Sequence, residues 1–233
     1  MLSCAILCGG LATRLRPVTE TVPKSLIPIS GEPFIGHQLR LLRSHGISGA
    51  VLCVGYLGEL IQEYVGDGSE FGMSISYSFD GVPLLGTAGA IRRALPLLDR
   101  SFFVLYGDSY LPCNYEGVGK TFESSGKRGL MTIYRNEDNY DSSNVEAADG
   151  LILRYDKRER TPAMRYIDYG LGVFDRSAFE ELPGDQFRDL AELYQRLLAA
   201  EDLACYEVKD RFYEIGSLDG IQDLERRIAG DQA

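Results

Sequence analysis

The sequence has few of the residues that build disulfide frameworks or zinc sites. Its five cysteines are odd in number and lack C-x-x-C spacing, which argues against both. Three of them, Cys4, Cys8 and Cys53, stand inside apolar runs and are expected to be small buried hydrophobic residues. The two histidines, His37 and His45, have no His or Cys partner at ligand spacing, so both are expected to be structural.

The sequence also lacks the features of membrane, secreted and nucleic-acid-binding proteins. No apolar run approaches the roughly 20 residues of a membrane span. The amino terminus has no basic segment of the kind that opens a signal peptide. A net charge of -10 argues against a surface for nucleic acid or anionic membrane. We therefore expect a cytoplasmic protein that binds neither.

Positive charge is concentrated near the amino terminus. Residues 1–24 contain Arg14, Arg16 and Lys24 against Glu20 alone, so this stretch is +2 and the remainder is -12. A locally basic segment in an acidic chain is compatible with an anionic small ligand.

The first apolar run, Leu2–Cys8, is stopped by Gly9 and Gly10, which predicts a buried strand followed by a tight turn. At the carboxyl edge of a parallel sheet, the N–H groups of such a turn can converge on a phosphate, because no Cβ keeps the ligand away. Arg14 and Lys24 would add positive charge nearby. The alternative is an ordinary strand-to-helix turn with two solvated basic residues, since isolated glycine motifs are weak evidence.

The first half of the chain alternates strand and helix patterns, which predicts an α/β fold with a mostly parallel sheet covered on both faces. After the first strand, the spacing predicts helix Phe34–Ser44, strand Ala50–Val54, helix Glu59–Val65, strand Met73–Phe79, helix Thr87–Leu98 and strand Phe102–Tyr106. Ligands of open α/β sheets bind beyond the carboxyl ends of the strands, so Asp108, after Gly107, should share an edge with Gly9 and Gly10. A helix-cap or turn aspartate is the alternative for Asp108.

The second half is less regular. Asp149-Gly150 predicts a hairpin between strands Asn144–Ala148 and Leu151–Asp156. The remaining patterns predict strands Gly129–Tyr134, Tyr166–Phe174, Ala204–Val208 and Phe212–Ile215, and helices Ser177–Glu181, Phe187–Ala200 and Leu218–Ala229. No internal repeat, low-complexity stretch or long linker interrupts the chain, so we expect one domain over residues 1–233.

The string from Gly9 to Pro33 carries a more specific signal than its glycines. Two glycines, Thr13-Arg14-Leu15, Pro17, Thr19 and Pro23-Lys24 stand at fixed offsets, followed by Leu26-Ile27-Pro28-Ile29 and Gly31-Glu32-Pro33. This string resembles the signature of the sugar-1-phosphate nucleotidyltransferases. It is neither a P-loop, which needs Gly-Lys-Ser/Thr, nor a dinucleotide fingerprint, which needs a third glycine.

The resemblance implies a Rossmann-like three-layer αβα sandwich, with a nucleotide-binding half at 1–110 and a sugar-binding half at 111–233. It implies that Gly86, Thr87 and Gly89, at a glycine-rich helix start, bind the nucleobase, and that Asp108 binds a catalytic Mg²⁺. The nucleotide-binding residues so implied are Leu7, Gly9, Gly10, Thr13, Arg14, Lys24, Gly86, Thr87, Gly89 and Gly107, and the catalytic residues are Arg14, Lys24 and Asp108.

The resemblance is patchier in the second half. Asp156-Lys157 aligns with a Glu-Lys pair whose lysine contacts the sugar phosphate, although the same run could be a solvated charged loop. Gly170 matches a sugar-pocket segment that usually reads Asn-Ala-Gly, whereas the two residues before it do not match. Glu214 stands where the family commonly has the Asp that is the second metal ligand. Glutamate is also a hard oxygen ligand for Mg²⁺.

The implied activity is transfer of a nucleoside monophosphate from an NTP to a sugar 1-phosphate. The second half looks closest to guanylyltransferases acting on heptose or mannose 1-phosphates, with uridylyltransferases for amino-sugar phosphates as the alternative. A non-catalytic regulatory subunit that binds an NDP-sugar is a further alternative, supported only by Glu214. A glycosyltransferase would show an Asp-x-Asp motif, which is absent from this sequence. Homo-oligomer formation is compatible with the resemblance.

Overall fold

The computed structural model describes residues 2–10, 15, 17–183 and 186–231. The strands are β1 (Ser3–Leu7), β2 (Pro28–Ile29), β3 (Glu32–Pro33), β4 (Gly49–Val54), β5 (Ser74–Phe79), β6 (Ser101–Tyr106), β7 (Ser109–Tyr110), β8 (Gly129–Arg135), β9 (Val145–Ala148), β10 (Leu151–Tyr155), β11 (Tyr166–Asp175), β12 (Leu203–Val208) and β13 (Tyr213–Glu214). The α-helices are α1 (Phe34–Ser44), α2 (Gly58–Val65), α3 (Gly86–Ala94), α4 (Tyr115–Ser125), α5 (Ser177–Glu180), α6 (Leu190–Ala199) and α7 (Leu218–Asp231).

Four parallel strands form the part of the main sheet that comes from the first half of the chain, in the order β5, β4, β1, β6. Their apolar runs are buried because helices cover both faces; Cys4, Ala5 and Ile6 of β1 have no exposed surface. Leu7 is in register with Cys53 on one side and with Tyr106 on the other. The residues that follow β1, β4 and β6 therefore emerge together at one edge, as predicted.

The second half extends the same nine-stranded sheet. β11 pairs antiparallel with β6 and β8, and β12 lies parallel to β8 at the periphery. β9 and β10 form the predicted hairpin, with Asp149 and Gly150 at φ 52° and 76°, the positive values that this turn requires. The sheet is therefore mixed, and its strands come from both halves of the chain.

The helices form a layer on each face of the sheet. Apolar residues of α1, α2 and α4 pack with Cys4 and Ile6, whereas those of α3, α5 and α6 pack with Ala5. A smaller core joins α7 to the β2–β3 hairpin through residues such as Ile29 and Leu224. The expected three-layer αβα sandwich is confirmed. Among the described residues, no helix is both long enough and apolar enough to cross a bilayer.

Two helices are shorter than predicted. α3 ends at Ala94 rather than Leu98 and continues as a 3-10 turn containing Pro96, because proline removes a helical N–H and clashes with the preceding turn. α6 begins at Leu190 rather than Phe187, because the Asp189 side chain accepts the N–H of Ala191 and so caps the helix there.

Candidate functional site

Two adjoining cavities open at the carboxyl edge of the parallel strands. The first has a volume of about 560 Å³ and the second about 450 Å³. Tyr106 and Asp108 line both. The first is also lined by the predicted residues Leu7, Gly9, Gly10, Lys24, Gly86, Thr87 and Gly107, and the second by Lys157, Gly170 and Glu214. These predicted nucleotide and sugar residues thus separate into neighbouring cavities that share one wall.

The glycine turn after β1 lines the first cavity. Among the described residues, no hydrogen bond uses the N–H of Gly9 or Gly10. A Cβ on Gly9 would lie 3.1 Å from the Gly55 nitrogen, and one on Gly107 would lie 2.7 Å from the Leu7 oxygen. Gly9 and Gly107 therefore allow the strand ends to approach closely, while a Cβ on Gly10 would meet no described residue within 4 Å.

An ion pair stands at the wall between the cavities. The Lys24 Nζ lies 2.5 Å from the Asp108 Oδ2, and the two side chains are 14% and 31% exposed. Lys24 opens a 3-10 turn, Lys24–Leu26, that follows the segment after β1, whereas Asp108 follows β6. The pair is held by elements more than eighty residues apart, so only the folded chain assembles it. Thr13 and Arg14 lie outside the described residues.

The start of α3 is packed against the segment before α6. The Thr87 Oγ1 accepts the Leu190 N–H at 2.7 Å, and the Arg188 carbonyl accepts the Ala88 N–H at 2.9 Å. A Cβ on Gly86 would lie 2.6 Å from the Arg188 oxygen, and one on Gly89 would lie 2.6 Å from the Gln186 oxygen. These glycines thus make room for residues 186–189. Gly86 and Thr87 line the first cavity and Gly89 does not, so its contact with a nucleobase stays a prediction.

Lys157 stands in the second cavity beside the shared wall. Its Nζ lies 3.7 Å from Asp168 Oδ2 and 5.5 Å from the centre of the Tyr106 ring. Burial works against the charged amine, but the facing Tyr106 and Asp168 oxygens outweigh it and raise the pKa of Lys157. The lysine therefore stays a cation in this cavity.

Asp156 and Lys157 are adjacent in the chain but differ in environment. The Asp156 carboxylate accepts the N–H groups of Arg158 and Glu159, which lowers its pKa and caps the turn. Asp156 does not line the second cavity, and its contact with a sugar phosphate stays a prediction. Gly170, at φ 98°, donates its N–H to Asp168, which also accepts the Tyr155 hydroxyl proton.

A short two-stranded ladder brings Asp108 and Glu214 to one cavity. β13 pairs antiparallel with β7 in a register that sets Glu214 opposite Ser109, and the Ile215 N–H donates to the Asp108 carbonyl at 3.0 Å. Among the described residues, no group of three or more His, Cys, Asp or Glu could hold a metal ion. Mg²⁺ takes one or two protein carboxylates and completes its shell with phosphates and water, so a magnesium site at Asp108 and Glu214 stays a prediction.

Three residues in or beside the site were missed by sequence reasoning, and one of them, Phe187, lines the first cavity. Gln38, fully buried on α1, donates to the carbonyls of Tyr106 and Ser109, and so fixes the chain on both sides of Asp108. No sequence pattern singles out this glutamine. Asp80 lines the first cavity directly after β5, and the rule that identified Asp108 at the end of a strand could have identified it too.

Comparison with known proteins identifies the family. The protein-family model described as "Nucleotidyl transferase" matches residues 4–230. The chain belongs to the nucleotidyl transferase family. The fold and the resemblance expected from the sequence are both confirmed.

Relatives in this family differ in the substrates for which they are named. A D-glycero-alpha-D-manno-heptose 1-phosphate guanylyltransferase of Campylobacter jejuni is 32% identical over 219 residues, which cover 91% of this chain and 93% of the relative. A UTP-glucose-1-phosphate uridylyltransferase of Synechocystis is 31% identical over 213 residues. That match covers 83% of this chain but spans about half, 54%, of the relative's length.

A solved structure supports the fold. A Bacillus anthracis structure, described as a glucose-1-phosphate thymidylyltransferase in complex with a sucrose, superimposes with a TM-score of 0.85. The superposition covers 97% of this chain and 95% of the other, at 19% sequence identity. At that identity the likeness concerns the fold alone.

Proposed function

We propose that this nucleotidyl transferase family member transfers a nucleoside monophosphate from an NTP to a sugar 1-phosphate, giving an NDP-sugar and pyrophosphate. The observation that carries the proposal is the pair of cavities that meet at Tyr106 and Asp108. One has a glycine turn and Lys24, suited to a triphosphate. The other has Lys157, suited to a sugar phosphate.

The proposed reaction is an in-line displacement. An oxygen of the sugar phosphate forms a bond to the α-phosphorus of the NTP, and the bond from that phosphorus to the bridging oxygen breaks, so that pyrophosphate leaves. Little covalent chemistry falls to the protein, and catalysis rests on positioning and charge neutralisation. The N–H groups of Gly9 and Gly10 and the Lys24 ammonium would hold the phosphates, and Lys157 would orient the attacking group.

Asp108 and Glu214 would hold Mg²⁺, because both carboxylates line the second cavity and are joined by the β7–β13 ladder. When bound, the ion would neutralise charge on the phosphates and the departing pyrophosphate. Lys24 would exchange Asp108 for a phosphate as the triphosphate enters, which leaves Asp108 free to act as a ligand.

We propose GTP as the nucleotide and a heptose or mannose 1-phosphate as the acceptor. The Campylobacter relative, aligned over nearly its whole length, supports this choice. UTP is the second candidate, supported by the Synechocystis relative. A panel of four NTPs against glucose, mannose, heptose and amino-sugar 1-phosphates, scored by pyrophosphate release, tests the proposal. GTP with a heptose or mannose 1-phosphate should release most pyrophosphate, and no release from any pair would refute the transfer itself.

A further inference from the structure

Asp168 is a nearly buried carboxylate on β11, at the wall of the second cavity. Its side chain is only 4% exposed. Its N–H donates to the Asn144 Oδ1 at 2.9 Å, and its own Oδ1 accepts the Gly170 N–H at 3.1 Å. Its Oδ2 accepts the Tyr155 hydroxyl proton, also at 3.1 Å. Because β10 and the segment before β9 supply two of these partners, the carboxylate is fixed before any ligand arrives.

The ammonium group of Lys157 lies against this fixed carboxylate. The Lys157 Nζ is 3.7 Å from the Asp168 Oδ2, which is the oxygen that accepts the Tyr155 hydroxyl proton. The same Nζ is 5.5 Å from the centre of the Tyr106 ring and 6.0 Å from that of Tyr155, distances at which aromatic rings attract a cation. The lysine side chain is nevertheless 41% exposed. Lys157 is therefore confined by one carboxylate and two rings and is still accessible to a ligand.

Asp168 itself is poorly placed to bind a sugar. Its two oxygens already face three donors, the Gly170 N–H, the Tyr155 hydroxyl and the Lys157 ammonium. With 4% of the side chain exposed, little of its surface remains for a ligand. Any effect of Asp168 on the reaction must therefore pass mainly through Lys157, the exposed member of the group.

We propose that Asp168 is a positioning residue that holds Lys157 in place for the phosphate of the acceptor. This inference rests on the proposed function. A free lysine loses the rotamer freedom of its long stem when it binds a ligand, whereas a lysine that is already confined loses less. An ammonium group has three N–H donors, so the contact with Asp168 leaves donors for a phosphate.

The opposite role for this carboxylate predicts a change of opposite sign. A carboxylate beside a bound phosphate repels it, so removal of the charge would strengthen phosphate binding if Asp168 were only a neighbour. If Asp168 positions the lysine, removal of the charge should weaken the use of the sugar phosphate instead. Burial disfavours the charged lysine, and Tyr106, Asp168 and Asp189 together raise its pKa. Asp168 thus also helps to keep Lys157 a cation.

A double-mutant cycle tests the proposal. Asp168→Asn keeps the size of the side chain and removes its charge. We expect kcat/KM for the sugar 1-phosphate to fall roughly tenfold, as for the loss of a charged contact, and KM for the NTP to stay within about twofold. In a Lys157→Ala background the same change should alter kcat/KM by no more than about twofold, because the lysine that Asp168 holds is gone.

Tyr155→Phe is a second variant that reaches the same contact. It removes the hydroxyl that holds the Asp168 Oδ2 and keeps the ring beside Lys157. It should lower kcat/KM for the sugar 1-phosphate about threefold, as for one neutral hydrogen bond, and should also have no further effect without Lys157. Calorimetric titration with mannose 1-phosphate should give the same order of affinities without turnover.

Asp175→Asn is the matched control for Asp168→Asn. Asp175 also lies on β11, accepts the Ser177 hydroxyl proton at 2.6 Å and pairs with Arg100, but it lines neither cavity. Its removal should leave the kinetics for both substrates unchanged.

The outcomes separate this inference from the proposed function. An unchanged or higher kcat/KM for the sugar 1-phosphate in folded Asp168→Asn overturns the inference, and so does an equal fall without Lys157. If Asp168→Asn does not fold, an unchanged value in Tyr155→Phe overturns it. If no NTP gives pyrophosphate with any sugar 1-phosphate, the proposed function has failed. The calorimetric cycle then decides the inference alone, and an affinity for mannose 1-phosphate that does not fall in the single variants overturns it.

Discussion

Asp108 contacts two different elements, one through its carboxylate and the other through its backbone carbonyl. Its Oδ2 lies 2.5 Å from the Lys24 Nζ, and its backbone carbonyl accepts the Ile215 N–H from the neighbouring ladder. The same carboxylate lines both cavities. Because lysine carries its charge at the end of a flexible four-carbon stem, a triphosphate can replace the carboxylate as the partner of Lys24.

Lys24→Met should remove the cation that meets the triphosphate while keeping the bulk of the side chain. We expect turnover to fall by about a hundredfold or more, the size found when one preorganised charge-stabilising group is lost. The free energy of unfolding should change by no more than about 1 kcal/mol, because the ion pair is only partly buried. Steady-state kinetics and thermal melts measure the two quantities.

Lys120→Met provides the matched control, because it breaks an ion pair with Glu116 on the exposed face of α4. This control should retain normal turnover. If Lys24→Met unfolds the protein and the remaining folded molecules turn over normally, Lys24 is structural.

The stability of the ligand-free protein should depend on pH through the ionisation of Asp80. Its folded pKa is raised by burial, so the native state holds the proton more tightly than the unfolded chain. Its contribution to stability is therefore fully present below the unfolded value of about 3.9 and is lost as the pH rises through the folded pKa. Asp80→Asn has no carboxyl group at this position, so its stability does not fall in this way as the pH rises. The Tm of the variant should rise relative to wild type from pH 4 to pH 8, and a constant difference would contradict the raised pKa.

At the scale of elements, the sequence predicts the strands and turns that are determined by apolar periodicity and by turn residues. The apolar runs of β1, β4 and β6, the β9–β10 turn and the glycine loop were all predicted. The pairing of strands that are distant in the chain was not predicted. β7 has two residues, too few for any periodicity, and it exists because β13, about a hundred residues later, pairs with it.

The β7–β13 ladder brings together the two proposed metal ligands, Asp108 and Glu214. Asp108→Asn and Glu214→Gln should each lower turnover severely and raise the Mg²⁺ concentration at half-maximal rate by roughly tenfold or more, as removal of metal-site partners does. Excess Mg²⁺ should partly restore both rates. Glu214→Asp should keep substantial activity, because it retains a carboxylate with a shorter reach.

Glu207→Gln, an exposed carboxylate change on β12 that lines neither cavity, serves as the control and should titrate like wild type. Wild-type turnover in Glu214→Gln, with an unchanged Mg²⁺ midpoint, would show that Glu214 is not a ligand. Asp108 would then bind the ion together with substrate and water alone.

At the scale of the molecule, the proposed function places the two substrates in separate cavities that share one wall. Sequence reasoning found residues of both cavities because the family motifs mark the strand ends and Lys157. It missed Gln38, Asp80 and Phe187, whose positions depend on how distant segments pack. A buried glutamine such as Gln38 has no distinguishing pattern until the neighbouring elements are in place, whereas Asp80 follows a strand as Asp108 does and could have been found by the same rule.

Lys157→Ala tests whether the two substrates bind in separate cavities. Because Lys157 lines the second cavity and not the first, the KM for the sugar 1-phosphate should rise about tenfold or more, as expected for a lost charged hydrogen bond. The affinity for NTP should stay within about twofold. Isothermal titration with each ligand measures both. Lys209→Ala, an exposed lysine paired with Glu207, is the control. Equal losses for the two ligands would remove Lys157 from the sugar site.

The most direct measurement is a competition followed by phosphorus NMR and mass spectrometry. The protein is incubated with Mg²⁺, equal concentrations of the four NTPs and one sugar 1-phosphate at a time. With a heptose or mannose 1-phosphate, the account predicts a single major product with the mass of the GDP-sugar, formed in equal amount to pyrophosphate. A UDP-sugar as the major product would contradict the guanine assignment. Full recovery of every sugar 1-phosphate and every NTP would contradict the transfer reaction itself.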